Sequence, residues 1–357
     1  MLEFFAEYGV FLAKVVTLVV AVLIVVGSLV AMGMKQKKQA NGHLEITHLN
    51  DEIERMADTL KSATVGKELS KQQHKEKKKQ LKQKAKEEKK KAKSKDSTTD
   101  DLDSKKRVYV LDFDGDIKAS EVDSLREEIT SVLSVINADR DEVVLTLSSG
   151  GGMVHAYGLA SSQVKRIKDK GVALTVCVDK VAASGGYMMA CVADKLLAAP
   201  FAVLGSIGVV AQLPNFHRLL KKHDIDYETL TAGEYKRTLT MFGENTDKGR
   251  EKFTEDLEDT HELFKEFVKE NRPQLDIDDI ATGEVWFGQR ALEKNLVDEL
   301  KTSDEYLVDS CRDADVYLVS YEYKKTLQDR FSMGMHSVID RLLLTWWDRL
   351  QKMRFYS

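Results

Sequence analysis

The residues with most chemical promise lie in two glycine-flanked turns. One, Val181-Ala-Ala-Ser-Gly-Gly-Tyr187, places Ser184 after an apolar run and at the start of a helix. Its neighbours are small enough to leave the hydroxyl reachable. A helix N-terminus favours the negative charge that develops in acyl transfer, so Ser184 is a candidate nucleophile. It would serve equally well as a plain helix N-cap. The other turn, Ser148-Ser-Gly-Gly-Gly152, closes a second apolar run and opens a helix. Glycine there lets the backbone approach a ligand closely and turns N–H groups outward. The turn lacks the Lys-Ser/Thr of a P-loop and the full spacing of a dinucleotide fingerprint, so it is either an anion cradle or a simple turn.

A serine nucleophile needs a base. His155 follows the glycine loop, and His217 and His223 come later, with no acid at triad-like positions. Lysine is the other solution, but lysines are abundant and composition does not choose among them. Cys177, Cys191 and Cys311 are too few and too scattered for a disulfide framework or a zinc site. Cys177 and Cys191 sit in apolar runs and read as buried thiols. A serine nucleophile working with such a base would need no metal and no cofactor.

The elements that must position these residues alternate. Val108-Tyr-Val-Leu-Asp-Phe113 reads as a strand, followed by Ser120 as an N-cap and a helix carrying Val122, Leu125, Ile129, Val132, Leu133 and Ile136. Val143-Val-Leu-Thr-Leu147 is the next strand. A helix with Tyr157, Ala160, Val164 and Ile167 on one face then ends at Gly171. Ala173-Leu-Thr-Val-Cys-Val178 is a third strand, and another helix opens at Ser184. This order predicts an α/β fold with parallel strands and crossover helices. Residues 247–270 read as a long amphipathic helix, with Phe253, Leu257, Phe264 and Phe267 on one face.

The two ends have a different character. Residues 15–34 carry no charge and are rich in Val, Leu and Ile. That length matches a hydrocarbon core of about 30 Å. Glu3 and Glu7 at the start and the long apolar run argue for an uncleaved anchor over a signal peptide. Residues 1–34 are thus an expected membrane anchor, and residues 35–106 a polar, Lys-rich tether. Residues 67–95 are dominated by Lys, Glu and Gln, with too little apolar surface to fold alone. They lack the aromatics that stack on bases, which argues against nucleic acid as a partner. The folded domain is expected over 107–325. Residues 326–357, with Leu342-Leu-Leu-Thr-Trp-Trp-Asp-Arg-Leu350 among basic residues, form a C-terminal amphipathic helix. It lies either in a membrane interface or against protein. The net charge of -4 conceals this asymmetry.

Four ordered motifs carry a resemblance: Gly150-Gly-Gly152; Ala183-Ser-Gly-Gly-Tyr187; Leu204-Gly-Ser-Ile-Gly-Val209; and Gly283-Glu-Val-Trp-Phe-Gly-Gln-Arg-Ala291 with Leu296-Val-Asp-Glu-Leu300. Over residues 105–325 the chain resembles the signal peptide peptidase A family of serine peptidases. Its anchor, tether and length resemble a single-domain branch of that family. The resemblance implies a ClpP/crotonase-like fold and a Ser–Lys dyad. In single-domain members the base lies about fifty residues after the nucleophile on Gly-x-x-Lys, and Gly233-Glu-Tyr-Lys236 fits. Lys236 is thus the implied base. Ser206 would orient it, and the Gly151 N–H would bind the oxyanion, with the Ser184 N–H as a second donor. An ordinary lysine, with a pKa near 10.4, is a poor base at pH 7. Bringing such a group to neutrality takes about 4 kcal/mol of environmental bias, mainly from burial. Arg237 and the following apolar residues push in that direction.

The implied partners are peptides or unfolded proteins, a lipid bilayer and further copies of the chain. The implied place is a bacterial inner membrane, crossed once. The positive-inside rule puts Lys35, Lys37 and Lys38 in the cytoplasm, whereas the resemblance implies a peptidase domain on the outer side. A non-catalytic membrane scaffold retaining the fold is the alternative. Acyl-CoA chemistry is a further one, disfavoured because no acid pair accompanies the glycine loops.

Overall fold

The computed structural model describes residues 12–20, 42–64 and 105–323. Leu44–Tyr321 forms one compact unit, and Met1–His43 with Glu322–Ser357 belongs to another. Within the second of these the described residues are 12–20, which are helical, and the ends of two strands at 42–43 and 322–323. Among the described residues no helix is long and apolar enough to cross a membrane. Most of the predicted anchor, and all of the predicted C-terminal helix, lie outside the described residues.

The large unit is an α/β fold built on a mainly parallel sheet, as the alternation predicts. Its spine is β2 (Arg107–Gly115), β3 (Glu142–Ser149), β4 (Ala173–Val178), β6 (Lys195–Ala198) and β9 (Glu299–Leu300). β10 (Asp315–Tyr323) pairs on the other side of β2. β2 runs parallel to β3 and β10, β3 to β4, β4 to β6, and β6 to β9. Such strands are covered on both faces, which is why β3 and β4 are nearly continuous runs of apolar residues.

Alternation along β2 sorts the two layers. Tyr109, Leu111 and Phe113 point into the main core with α2 (Val122–Leu133) and α3 (Val154–Asp169). Val108 and Val110 point the other way, into a smaller core with Leu307 and Cys311 of α9 (Ser303–Asp313). The helix predicted to carry Tyr157, Ala160, Val164 and Ile167 buries all four, and Gly171 past its end has φ +74°. α6 (Asp247–Asn271) buries Phe264 and Val268 and packs Phe267 against the main core. Cys177 and Cys191 are buried thiols, and burial pushes both up to about 12.

Two local expectations are corrected. Ser120 is not the cap of α2. Glu121 holds the N-cap position, while Ser120 donates its hydroxyl to Asp116, 2.8 Å away. The stretch expected to be a tether over 35–106 is interrupted by structure. β1 (Gly42–His48) adds to the sheet beside β10, and α1 (Leu49–Thr64) follows it directly. Asn50 fastens this piece. Its amide donates to the carbonyls of Cys311 (3.0 Å) and Ala314 (2.9 Å), and its oxygen accepts from the Val316 N–H (2.8 Å). Strand pairing contributes backbone hydrogen bonds that a composition-based reading of a polar stretch does not weigh. The Lys-rich run from 67 to 95 lies outside the described residues.

Candidate active site

The site stands at the C-terminal ends of three strands held side by side. β5 (Val181–Ala183) pairs parallel with β3 through Ser149 and Ala182, and with β7 (Val203–Gly205) through Ala183 and Gly205. Each strand then breaks into a turn at the same level. The three turns deliver Gly151, Ser184 and Ser206, as expected of α/β sheets, where chemistry collects beyond the carboxyl ends of strands.

Ser184 occupies a strained turn, with φ +52° and ψ −120°. Non-glycine residues at positive φ are uncommon, and such strain collects at functional sites. A nucleophilic serine at a sharp strand-to-helix turn is lifted clear of both elements by this kind of backbone. The N-cap reading of Ser184 fails on geometry: its side chain makes no capping hydrogen bond to α4 (Gly185–Ala190). The side chain is half-buried, and Gly185, Gly186 and Tyr187 behind it are buried. The two glycines are sterically required. A side-chain carbon on Gly185 would come within 2.3 Å of the Tyr157 ring, and one on Gly186 within 2.4 Å of the Ser149 carbonyl.

Gly151 lies directly against the nucleophile. A carbon added to it would fall 2.8 Å from the Ser184 Cβ and 2.7 Å from the Gly185 nitrogen. Its φ is +83°. The Gly151 N–H donates to the Ser149 hydroxyl at 3.1 Å, and that hydroxyl is 2.6 Å from the buried Tyr157 hydroxyl. The Ser184 N–H, expected as a second oxyanion donor, is instead spent on the Gly205 carbonyl at 2.8 Å. That bond ties the nucleophile's turn to β7.

Ser206 also has a positive φ, +52°, and is half-buried next to Gly205. Its N–H donates to the Glu284 carbonyl at 2.6 Å, and the Gly283 N–H donates to the Ile207 carbonyl at 3.2 Å. The Gly283–Ala291 motif is therefore a brace for the Ser206 turn. Trp286 of β8 (Val285–Phe287) fills the space that a side chain at Gly205 would need. The Leu296–Leu300 motif holds the sheet edge. Asp298 takes a bidentate bond from the buried Arg272 and accepts from the Leu196 N–H.

Lys236, the expected base, makes no side-chain hydrogen bond to Ser184 or Ser206 among the described residues. It is exposed on the long connection between α5 (His217–Lys222) and α6, and its side chain has no hydrogen-bond or ion-pair partner among the described residues. Its own N–H donates to the Gly233 carbonyl at 3.2 Å. The adjacent Glu234 pairs with Lys248 on the first turn of α6. His155 is exposed just past the glycine loop. Among the described residues no group of three or more His, Cys, Asp or Glu side chains is placed to hold a metal.

The sequence matches the description Peptidase family S49 N-terminal over residues 3–164 and Peptidase family S49 over residues 166–316. The chain belongs to peptidase family S49. The Probable protease SohB of Haemophilus influenzae is 53% identical over 324 residues, 91% of each chain. A Probable protease SohB of Buchnera aphidicola is 55% identical over 241 residues, 67% of this chain and 71% of that one. A Putative protease SohB from another Buchnera aphidicola lineage is 42% identical over 326 residues, 91% of this chain and 93% of that one. These are the SohB branch, to which anchor, tether and length pointed. As an S49 member the chain is a peptidase, and the site above is where the four motifs converge.

Sequence reasoning missed Ser149 and Tyr157. Ser149 was visible as part of the glycine turn. Tyr157 showed only as one of four apolar positions on a helix face. What pointed to it was its size: a tyrosine in a core face must find a partner for its hydroxyl.

Proposed function

We propose that this S49 peptidase is a membrane-anchored serine endopeptidase that works through an acyl-enzyme, with Ser184 as nucleophile and Lys236 as general base. The observation that carries this reading is the backbone of Ser184, strained at φ +52° and ψ −120° with the Gly151 loop pressed against it. Ser184 Oγ attacks the scissile carbonyl and its proton passes to the Lys236 amine. The Gly151 N–H takes the negative charge on the tetrahedral oxygen. Lys236 returns the proton to the leaving amine, and water then releases the acyl group from Ser184. Ser206, on the neighbouring turn, orients the lysine.

Lysine serves as a base near neutral pH only when buried, and Lys236 is exposed in the single chain. A homo-oligomer, in which neighbouring copies shape each site, is the arrangement that completes the dyad. The substrates we propose are peptides, signal-peptide remnants or damaged proteins at the bacterial inner membrane, with small apolar side chains beside the scissile bond. The apolar run at 15–34 supports the anchor. The competing reading, a scaffold that keeps the fold, draws on the exposure of Lys236.

A fluorophosphonate probe separates the two readings. We expect stoichiometric labelling of Ser184, located by mass spectrometry. Hydrolysis of a chromogenic ester should fall at least 1000-fold in Ser184→Ala. Unlabelled Ser184 in a chain that still turns over the ester would refute the assignment.

A further inference from the structure

The three hydroxyl and amide groups behind the Gly151 loop form a chain of hydrogen bonds whose direction follows from proton counting. The Tyr157 hydroxyl is 2.6 Å from the carbonyl oxygen of Asp116. A carbonyl only accepts, so the single phenolic proton lies in that bond. Burial pushes the Tyr157 phenol above its ordinary value, so this proton stays in place across the neutral range. The 2.6 Å contact between Tyr157 and Ser149 must then use the proton of Ser149. The Ser149 oxygen is left as an acceptor, and it takes the Gly151 N–H at 3.1 Å. The sequence of donation is Gly151 N–H to Ser149, Ser149 to Tyr157, Tyr157 to Asp116. Ser149 and Tyr157 are both buried, at 1% and 0% exposure, so water does not stand in for either.

The N–H that the proposed mechanism assigns to the oxyanion is therefore already engaged inside the protein. We propose that Ser149 is a latch on the oxyanion donor: its hydroxyl competes with the substrate oxygen for the Gly151 N–H, while its own proton is turned away towards Tyr157. This inference rests on the reading of Ser184 as nucleophile. A neutral peptide carbonyl is a poor competitor for a donor held by a hydroxyl. A developing oxyanion is a strong one, because charge-assisted hydrogen bonds are about twice as strong as neutral ones. The exchange from Ser149 to the substrate oxygen thus occurs as charge builds. Interactions made only then raise turnover without tightening the ground state. Ser149 acts through Gly151 and is a positioning residue.

The test uses the 1–357 chain in detergent and a peptide boronic acid ending in alanine, which forms an anionic tetrahedral adduct on a serine. Ser149→Ala removes the competing acceptor. The inhibition constant should fall about 2- to 10-fold, the equivalent of one neutral hydrogen bond. The KM for a peptide substrate should fall with it. Tyr157→Phe removes a bond of the same network but leaves the Ser149 oxygen as acceptor, its proton turning to the Gly115 carbonyl 3.4 Å away. Its inhibition constant should stay within about twofold of the parent. Thermal melting confirms that both variants are folded. An inhibition constant in Ser149→Ala that is unchanged or raised overturns the latch, as does equal tightening in both variants. Failure of the parent to form a boronate adduct lost in Ser184→Ala would instead overturn the nucleophile, and the latch with it.

Discussion

At the scale of single residues, the buried acid Glu128 makes the sharpest prediction. It is 5% exposed on α2, and one carboxyl oxygen accepts the Tyr321 N–H at 2.7 Å. The other is buried without a hydrogen-bond partner among the described residues. Burial, aided by the nearby Glu121 and Asp112 charges, pushes this carboxyl from 4.5 up to about 7, against the opposing pull of the Tyr321 N–H. The folded state therefore prefers the protonated form. Its contribution is fully present below pH 4.5 and is lost as pH rises through about 7. Glu128→Gln keeps the shape and the acceptor but cannot ionise. It should match the parent within about 0.5 kcal/mol at pH 4 and be more stable by up to about 3 kcal/mol at pH 8.5. The difference between the two melting curves at the two pH values checks this. A gap that does not change with pH would show that Glu128 is not the titrating group.

At the scale of elements, the clasp made by β1 and α1 depends on one side chain. Asn50 makes three hydrogen bonds to the backbone around the start of β10. Asn50→Ala leaves two carbonyls and one N–H without that partner. The cost should be about 2–4 kcal/mol, local to this piece. Limited proteolysis should then cut within 42–64 while the rest of the sheet resists. Equal resistance in variant and parent would show that other contacts hold the clasp.

The same elements show how much the sequence disclosed. β3, β4 and α3 were legible because burial on both faces, or on one helical face, writes itself into the pattern of apolar residues. Ser184 was legible because only small residues can flank a turn pressed against Tyr157 and Ser149. β1 was hidden because an edge strand gains from backbone pairing that composition does not register. The spent Ser184 N–H was hidden for a related reason: it follows from β5 and β7 lying in register. The Ser120 cap was misread because Asp116 offers that hydroxyl a better acceptor than the helix does.

At the scale of the whole molecule, the connection between β7 and α6 presents an unusual surface. Val210 is 80% and Leu230 93% exposed, and Phe216, Ile225, Tyr227, Tyr235 and Phe242 are exposed along the same stretch. Phe201, just before β7, and Phe287 of β8, which pairs with β7, pack edge to face and are exposed too. So many exposed apolar side chains in one connection mark a candidate protein or membrane contact. Lys236 lies within the stretch. If copies of the chain bury it against one another, the surface is covered and the lysine is withdrawn from water in the same step. Ser184→Ala and Lys236→Ala should each be inactive alone. When the two are co-expressed, or mixed with time to exchange, ester hydrolysis should return, to at most about a quarter to a half of the parent if each site draws its lysine from a neighbour. Light scattering on the detergent-solubilised chain, corrected for bound detergent, should give a mass several times the 40.3 kDa monomer. Restored activity requires that a site combine Ser184 of one copy with Lys236 of another. An oligomer without restoration would mean that the loop folds back onto its own site, and a fully active monomer would sink the assembly outright.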